Sequence, residues 1–231
     1  MNVTIIYDTT KKATTYNCVQ LLLNNLRLTM TIHVTEFFLP KDLPSFCGSF
    51  PSHTINSENI LLHWNSTSYI TDSLDNSDLI ILACPVSECD ITNNMKLLLN
   101  HLYYKSIENN TRSFMKNKIG LVISTAAGAG LFHSTQTLKR NLNFWGIHNI
   151  CEFSKTFYEL NWNYVTFKKK LQINKKIFKL SNKIINLYLS THTTKASIEY
   201  QITSSKIKPI FKTNHSNVLN FRYQRKQSYP H

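Results

Sequence analysis

The sequence predicts an α/β fold, a three-layer sandwich in which helices cover both faces of a five-stranded parallel sheet. Short, nearly continuous apolar segments alternate with helical patterns through the first 160 residues. Continuous apolar segments of this length are typical of strands that are buried on both faces, as in parallel sheets. Strand–helix alternation supplies the crossover helices that parallel strands need.

Five apolar segments are predicted to form the strands of this sheet. Five strand–helix units fit the strand order 2-1-3-4-5, in which ligands bind beyond the carboxyl ends of the strands at the point where the order reverses. A ligand site is therefore expected in the loops after strands one, three and four. The predicted strands are Val3–Tyr7, Ile32–Leu39, Leu79–Cys84, Ile119–Ser124 and Ile147–Phe153.

Helices are predicted where apolar residues recur with a spacing of three and four. The loop 40–57 follows strand two and carries three prolines, and a weaker helix is predicted at 60–74. From Phe167 onward the pattern becomes a long basic amphipathic helix, the last covering helix of the sheet. The apolar faces are Val19, Leu22, Leu23 and Leu26; then Ile91, Met95, Leu98, Leu99 and Leu102; then Leu131, Thr135, Leu138, Leu142 and Trp145; and finally Ile173, Ile177, Leu180, Ile184 and Tyr188.

The chain of 231 residues fits one α/β domain at 1–190 and a basic extension at 191–231. Its net charge of +13 lies in the last third, because residues 166–231 hold 14 Lys and Arg and one acid, Glu199. Two interpretations stay open. The basic third is a solvated helix face and a flexible tail, or it is a surface for an anionic partner such as nucleic acid, lipid or a phosphorylated cofactor.

Several classes of protein are not expected from this sequence. The start of the chain lacks the pattern of an export signal, and the longest apolar segment, Leu79–Val86, is too short to span a bilayer. The five cysteines contain no C-x-x-C pair and the nine histidines no H-x-x-x-H pair, so we expect neither disulfides nor a metal site. A cytoplasmic location is expected.

Residues 8–15, after strand one, contain four threonines and two lysines just before the first helix. Hydroxyls and backbone N–H groups at a helix N-terminus are what a phosphate site needs. An ordinary helix N-cap is the alternative interpretation.

Residues 124–130, after strand four, are small and include two glycines, which suits either the close approach of a planar ligand or a tight turn.

The strand-four segment also carries a family resemblance. Ile123–Gly130, followed by Phe144–Gly146, resembles the second flavin loop and the following helix of the NADPH-dependent FMN reductase/flavodoxin-like family, and most resembles a clostridial branch of it. The resemblance covers about residues 1–190.

Two further segments resemble the other flavin loops of this family. Leu82–Val86, with Ile91–Thr92 and Met95–Lys96, is similar to the first isoalloxazine loop, S-P-V-Y-x-x-x-x-T-G-x-x-K. Asp8–Thr15 is similar to the phosphate loop, G-S-P-R-K-x-G-N-T. Many members carry a cysteine cluster in this region, of which only Cys47 remains here, and an iron–sulfur centre, which needs about four cysteine ligands, is therefore not expected.

The resemblance implies a flavodoxin-like fold, FMN as cofactor, NAD(P)H as electron donor and a homodimer with the flavin near the subunit boundary. The chemistry would occur on the flavin N5, so no catalytic protein side chain is expected. Phosphate contacts are implied for Thr9, Thr10, Lys11, Thr14 and Thr15, and ring contacts for Pro85, Val86, Ser87, Glu88, Ser124, Thr125, Ala126, Ala127, Gly128 and Gly130.

Three hypotheses for the function follow. The first is a flavoprotein oxidoreductase that passes hydride or electrons from NAD(P)H through FMN to an acceptor. The second is a flavin-free scaffold that binds a partner through its basic third; it is favoured by Asp8 and Asn93, which replace glycines of the family motifs, and by Ser87, which replaces the ring-stacking tyrosine. The carboxylate of Asp8 would repel a phosphate. The third is a one-electron shuttle, a class that is usually acidic, whereas this chain is basic.

Overall fold

The computed structural model describes residues 1–11, 13–43, 69–108, 115–159 and 161–191, with the backbone alone for 103–108. Cys47, the predicted loop from residue 44 onward, most of the predicted helix at 60–74 and the extension after residue 191 lie outside the described residues. The chain divides into two compact units, Met1–Tyr188 and Leu189–His231. Only the first three residues of the second unit are described.

The five predicted parallel strands are present in the predicted order. They run β2-β1-β3-β5-β6 across the sheet, and the short strand β4 pairs with β3 in the antiparallel sense. If β4 is set aside, this is the order 2-1-3-4-5. The strands are β1 (Asn2–Tyr7), β2 (His33–Phe38), β3 (Leu79–Ser87), β4 (Asp90–Ile91), β5 (Ile119–Ala126) and β6 (Asn149–Thr156).

Besides the helical residues 69–75, which belong to the predicted helix at 60–74, four helices and one 3₁₀ turn accompany the strands in the part of the chain that the structure describes. The side chains of Ile6, Leu82 and Val122 on one sheet face share a buried cluster with the second and third helices. The first helix contacts β3 and β5 outside that cluster and covers the opposite face. Helices on both faces leave the carboxyl ends of the strands open. The helices are α1 (Thr14–Arg27), α2 (Asn93–Glu108), α3 (Leu131–Phe144) and α4 (Phe167–Thr191), and the 3₁₀ turn is Trp162–Tyr164.

Two of the central strands are longer than the sequence predicts. β3 continues to Ser87 because its end pairs with β4, and β5 continues to Ala126 because Ala126 pairs with Thr156 of β6. The prediction that Ile91 lies on a helical face is wrong, because Ile91 lies in β4, opposite Val86. Six of the residues expected to contact the ring therefore lie in strands, whereas Glu88, Ala127, Gly128 and Gly130 lie in the connecting loops: the six are Pro85, Val86, Ser87, Ser124, Thr125 and Ala126.

Helix α4 is expected to be necessary for folding, and residues 192–231 dispensable. Its inward face buries Ile173, Ile177, Ile184 and Ile185. Each such side chain contributes about 1.5–3 kcal/mol, against a total stability of about 5–15 kcal/mol for a domain. We expect a chain ending at Thr191 to melt cooperatively in a circular dichroism scan, and a chain without α4 to show no cooperative melt.

Size-exclusion chromatography of the chain that ends at Thr191 shows whether the extension holds a dimer together. If the extension wraps a second subunit, its removal dissociates a dimer without unfolding the monomer. An insoluble chain ending at Thr191 would contradict the prediction, because it would place part of 192–231 in the core of the first unit.

Candidate functional site

A cavity of about 380 Å³ opens at the carboxyl ends of β1, β3 and β5. The topology of the sheet predicts a ligand site at this edge. Nine of the fifteen candidate residues named from the sequence line it: Thr9, Thr10, Thr14, Thr15, Pro85, Val86, Thr125, Ala126 and Ala127. Ala13, Phe157 and Asn161 complete the lining.

The N-terminus of α1 opens into this cavity without a side-chain cap. The N-cap residue is Ala13, in an extended conformation (φ −73°, ψ 158°), and within the described residues no side-chain hydrogen bond caps the helix. The first turn also holds no acidic residue. The interpretation of the threonines as an ordinary N-cap is therefore wrong. The first backbone N–H groups of a helix have no partner within it and carry the positive end of the dipole, so they suit an anion.

Three buried threonine hydroxyls join this helix end to the end of β5. The hydroxyl oxygens of Thr15 and Thr125 are 2.6 Å apart, and the Thr14 hydroxyl donates to that of Thr125 across 3.4 Å. All three side chains are buried. These hydrogen bonds tie the start of α1 to the end of β5 at the wall of the cavity.

The segment after β6 closes one side of the cavity. The Phe157 N–H donates to the carbonyl of Ala126 across 2.7 Å, and Asn161 forms a backbone bridge with Ala13. Lys169 of α4 holds this segment by an ion pair with Glu159 at 2.7 Å, and its ammonium lies 5.4 Å from the centre of the Phe157 ring. Sequence reasoning missed these residues because it searched the loops after strands one, three and four.

Asp8 does not line the cavity, contrary to the expected repulsion of a phosphate. Its carboxylate is buried and accepts hydrogen bonds from the Thr92 hydroxyl and, at 3.3 Å, from the Asn94 amide. Asp8 therefore joins the end of β1 to the start of α2, and both of its carboxylate oxygens accept hydrogen bonds there.

The turn between β3 and β4 has an unusual backbone for its residues. Glu88 and Cys89 have φ values of 49° and 64°. Positive φ at both central residues of a two-residue hairpin is the type I′ conformation, which favours Asn and Gly. Other residues adopt it at some cost in energy, so the surrounding contacts must hold the turn in place.

Asp90 supplies part of that support. Its carboxylate forms an ion pair with Lys96 of α2 at 3.1 Å and accepts a hydrogen bond from Thr137 of α3, also at 3.1 Å. Partial burial would raise the pKa of Asp90, but hydrogen bonds from the Ile91 N–H, Lys96 and Thr137 outweigh it and lower this pKa. The hairpin is thus braced against both helices at neutral pH.

The two glycines of the second ring loop differ in their surroundings. Gly130 has φ +93°, and a Cβ there would lie 2.6 Å from the Cα atom of Cys89. The backbones of the two ring loops therefore touch. Gly128 is exposed, and a Cβ there would meet nothing within 4 Å among the described residues. Space at Gly128 is available for a ligand or a side chain.

The other candidate residues outside the lining have identifiable surroundings. Ser124 is buried and lies 3.1 Å from the hydroxyl of Ser134. Lys11 is exposed, with its ammonium 5.4 Å from the centre of the Phe38 ring. Ser87 and Glu88 are exposed at the hairpin. No group of three histidine, cysteine or acidic side chains that could hold a metal occurs among the described residues.

The cysteine thiols are expected to differ strongly in reactivity. Burial raises the pKa of Cys18 to about 12 and, despite hydrogen bonds from Thr92, that of Cys84 to about 11, whereas Cys89 is exposed. At pH 8 about one Cys84 thiol in a thousand is ionised. We expect iodoacetamide to alkylate Cys89 at least about a hundredfold faster than Cys18 and Cys84, as measured by peptide mass spectrometry.

Denatured protein is the control, in which all of these cysteines react. Rapid alkylation of Cys84 in the folded protein would contradict the buried position of the end of β3.

In the part of the chain that the structure describes, none of the helices has the length and apolar character needed to cross a membrane.

Several solved structures resemble this one in fold. An FMN-dependent NADH-azoreductase from Bacillus anthracis, in complex with FMN, superposes with a TM-score of 0.60 at 11% identity, covering 80% of this chain and 99% of that one. An oxidoreductase from Corynebacterium diphtheriae gives 0.58 at 13% identity, with coverage of 82% and 97%. FerB, a flavoenzyme NAD(P)H:(acceptor) oxidoreductase from Paracoccus denitrificans, gives 0.56 at 12% identity, with the same coverage. No curated protein sequence matches this chain.

The sheet order, the covering helices and the cavity at the carboxyl edge define a flavodoxin-like α/β protein. The chain belongs to the NADPH-dependent FMN reductase family, whose family model matches residues 1–157. The match is shorter than the 1–190 expected from the motifs and ends at Phe157, which lines the cavity. The protein is accordingly an oxidoreductase with FMN as its cofactor and NAD(P)H as the electron donor that fits the family.

Proposed function

We propose that FMN occupies the cavity with its phosphate at the N-terminus of α1, and that the protein passes hydride or electrons from NAD(P)H to an acceptor. The observation that carries this proposal is the start of α1, where the N-cap residue Ala13 supplies no side-chain cap and Ala13, Thr14 and Thr15 line the cavity. An anion is the ligand that such a helix end favours.

The residues around the cavity fit the parts of FMN. Thr9, Thr10, Thr14 and Thr15 line the cavity around the start of α1, where we place the phosphate. Pro85, Val86, Ala126 and Ala127 offer apolar groups for the ring, and Phe157 lines the same cavity. Bound FMN would supply the hydride or electron transfer, and the protein would bind and orient it.

Two candidate residues act on the shape of the ring loops under this proposal. Gly130 allows the close contact with Cys89, and Ser124 joins β5 to α3 through Ser134. Lys11, Ser87, Glu88 and Gly128 remain predicted contacts at the rim of the site.

The flavin-free scaffold has no support, because the carboxylate of Asp8 is directed to Thr92 and Asn94 instead of the cavity. The family's NADPH-dependent reductases also differ from a one-electron shuttle in using a nicotinamide donor. A homodimer follows from the resemblance, and size-exclusion chromatography of the full chain tests it.

Anaerobic reduction of the FMN-loaded protein tests the proposed activity. NADPH or NADH, added in slight excess, is expected to remove the visible absorbance of the bound flavin, and an added acceptor is expected to restore it. The comparison of the two donors gives the nicotinamide preference. Bound flavin that neither donor reduces would contradict the activity while leaving the FMN site in place.

A further inference from the structure

The outer side of α4 combines exposed apolar side chains with lysines. This helix of 25 residues contains seven lysines and no acidic residue. Phe167, Leu171 and Phe178 are 81%, 47% and 50% exposed. Exposed apolar side chains indicate an interaction surface when they are adjacent, whereas scattered ones are ordinary.

Helical geometry places these three side chains in one row. At about 100° per residue, Phe167, Leu171 and Phe178 lie within about 40° of each other around the helix axis. The inward residues Ile173 and Ile177 lie about 100° away on the side that packs in the core. Over residues 167–178 the exposed row is therefore separate from the buried face, whereas Ile185, two turns further along, lies at the same angle but is buried.

Lysines form a second row beside the apolar one. Lys168, Lys175 and Lys179 lie about 80° from it around the helix axis. Within the described residues none of the three takes part in an ion pair, whereas Lys169 pairs with Glu159. The two rows together, Phe167, Leu171, Phe178, Lys168, Lys175 and Lys179, are called the α4 outer face here.

We propose that the α4 outer face docks on an anionic lipid membrane surface. Helices that lie in the membrane interface place Phe and Leu at the boundary of the acyl chains and keep lysines near the headgroups. Each lysine near an anionic leaflet adds attraction that falls off within a Debye length. The α4 outer face offers both components on one rigid element of the domain.

Three other occupants fit this surface less well. A nucleic acid would attract the lysines through its phosphates but would give Leu171 and Phe178 no apolar partner. Residues 192–231 carry seven Lys and Arg and one acid, so they are positively charged and the α4 lysines would repel them. A second copy docked through the same face would bring like charges together, because a two-fold interface uses the same patch on both subunits.

Vesicle co-sedimentation of the full-length protein tests the proposal. We expect binding to vesicles of phosphatidylcholine and phosphatidylglycerol, little binding to phosphatidylcholine alone, and weaker binding as salt is raised. Replacing Lys168, Lys175 and Lys179 by Gln is expected to weaken binding about a hundredfold. Replacing Phe167, Leu171 and Phe178 by Ser is expected to weaken it at least about tenfold.

The matched controls are Lys116→Gln and Leu28→Ser, which alter an exposed lysine and an exposed leucine elsewhere. Both are expected to bind vesicles like the unchanged protein. Three results would overturn the proposal: equal binding to neutral vesicles, unchanged binding by both α4 triple variants, or loss of duplex DNA binding without loss of vesicle binding in those variants. A dimer that dissociates in the Ser triple variant would assign the face to a second copy instead.

Discussion

Ala13→Asp is expected to stabilise the free protein and to abolish FMN binding. Ala13 has the extended backbone of an N-cap residue but no side chain to cap α1. An Asp there accepts hydrogen bonds from the first-turn N–H groups and contributes about 1 kcal/mol, which raises Tm by about 2–4 °C for a chain of this size.

The same carboxylate would occupy the position proposed for the phosphate. Two like charges 4 Å apart near a protein surface repel by about 4 kcal/mol, so FMN affinity is expected to fall at least about a hundredfold. Calorimetric titration measures the affinity, and a thermal scan without flavin measures the stability. A rise in Tm together with a fall in FMN affinity would show that the variant has lost the site and kept the fold.

Ala13→Ser is the matched control. A neutral hydroxyl also caps the helix, so stability is expected to rise, but without the charge the loss of FMN affinity is expected to be much smaller. Unchanged FMN binding in Ala13→Asp, with the expected rise in Tm, would show that the phosphate does not lie at α1.

The second large effect is expected at Gly130. Gly130→Ala forces a side chain into the left-handed region and places its Cβ 2.6 Å from the backbone of Cys89. The conformational cost and the overpacking together are expected to lower the free energy of unfolding by about 2–5 kcal/mol. Urea denaturation of the flavin-free protein measures this change.

Gly128→Val is its counterpart in the same loop. Because a Cβ at Gly128 meets nothing within 4 Å among the described residues, the variant is expected to unfold at nearly the same urea concentration as the unchanged protein. Its FMN binding is expected to be lost, because the branched side chain would fill the space beside Ala127 that the ring approaches. Normal FMN affinity in Gly128→Val would place the ring elsewhere.

The fold could be predicted from the sequence because apolar periodicity reports burial directly. Ile81 and Leu121, for example, lie in continuous apolar segments and pair in the central sheet. The strand order in turn predicts the edge of the sheet at which the ligand binds. The ends of β3 and β5 could not be predicted, since they depend on pairing with β4 and β6.

The site was harder to predict because its details depend on where each side chain points and on contacts between residues that are far apart in the sequence. The sequence shows a carboxylate at Asp8 but not that Thr92 and Asn94 donate hydrogen bonds to it at the start of α2. Asn161 reaches Ala13 only through the folding of the segment after β6. Ala13 itself has no polar group, so the uncapped helix start becomes visible only when the bounds of α1 are known.

The most direct test of the central claim is a calorimetric comparison of FMN with riboflavin on the purified protein. The two ligands share the ring system and differ by the phosphate. If the N-terminus of α1 holds the phosphate, FMN binds at least about a hundredfold more tightly than riboflavin, which corresponds to about 2.7 kcal/mol. Equal affinities for the two ligands, or no binding of FMN, would contradict the account.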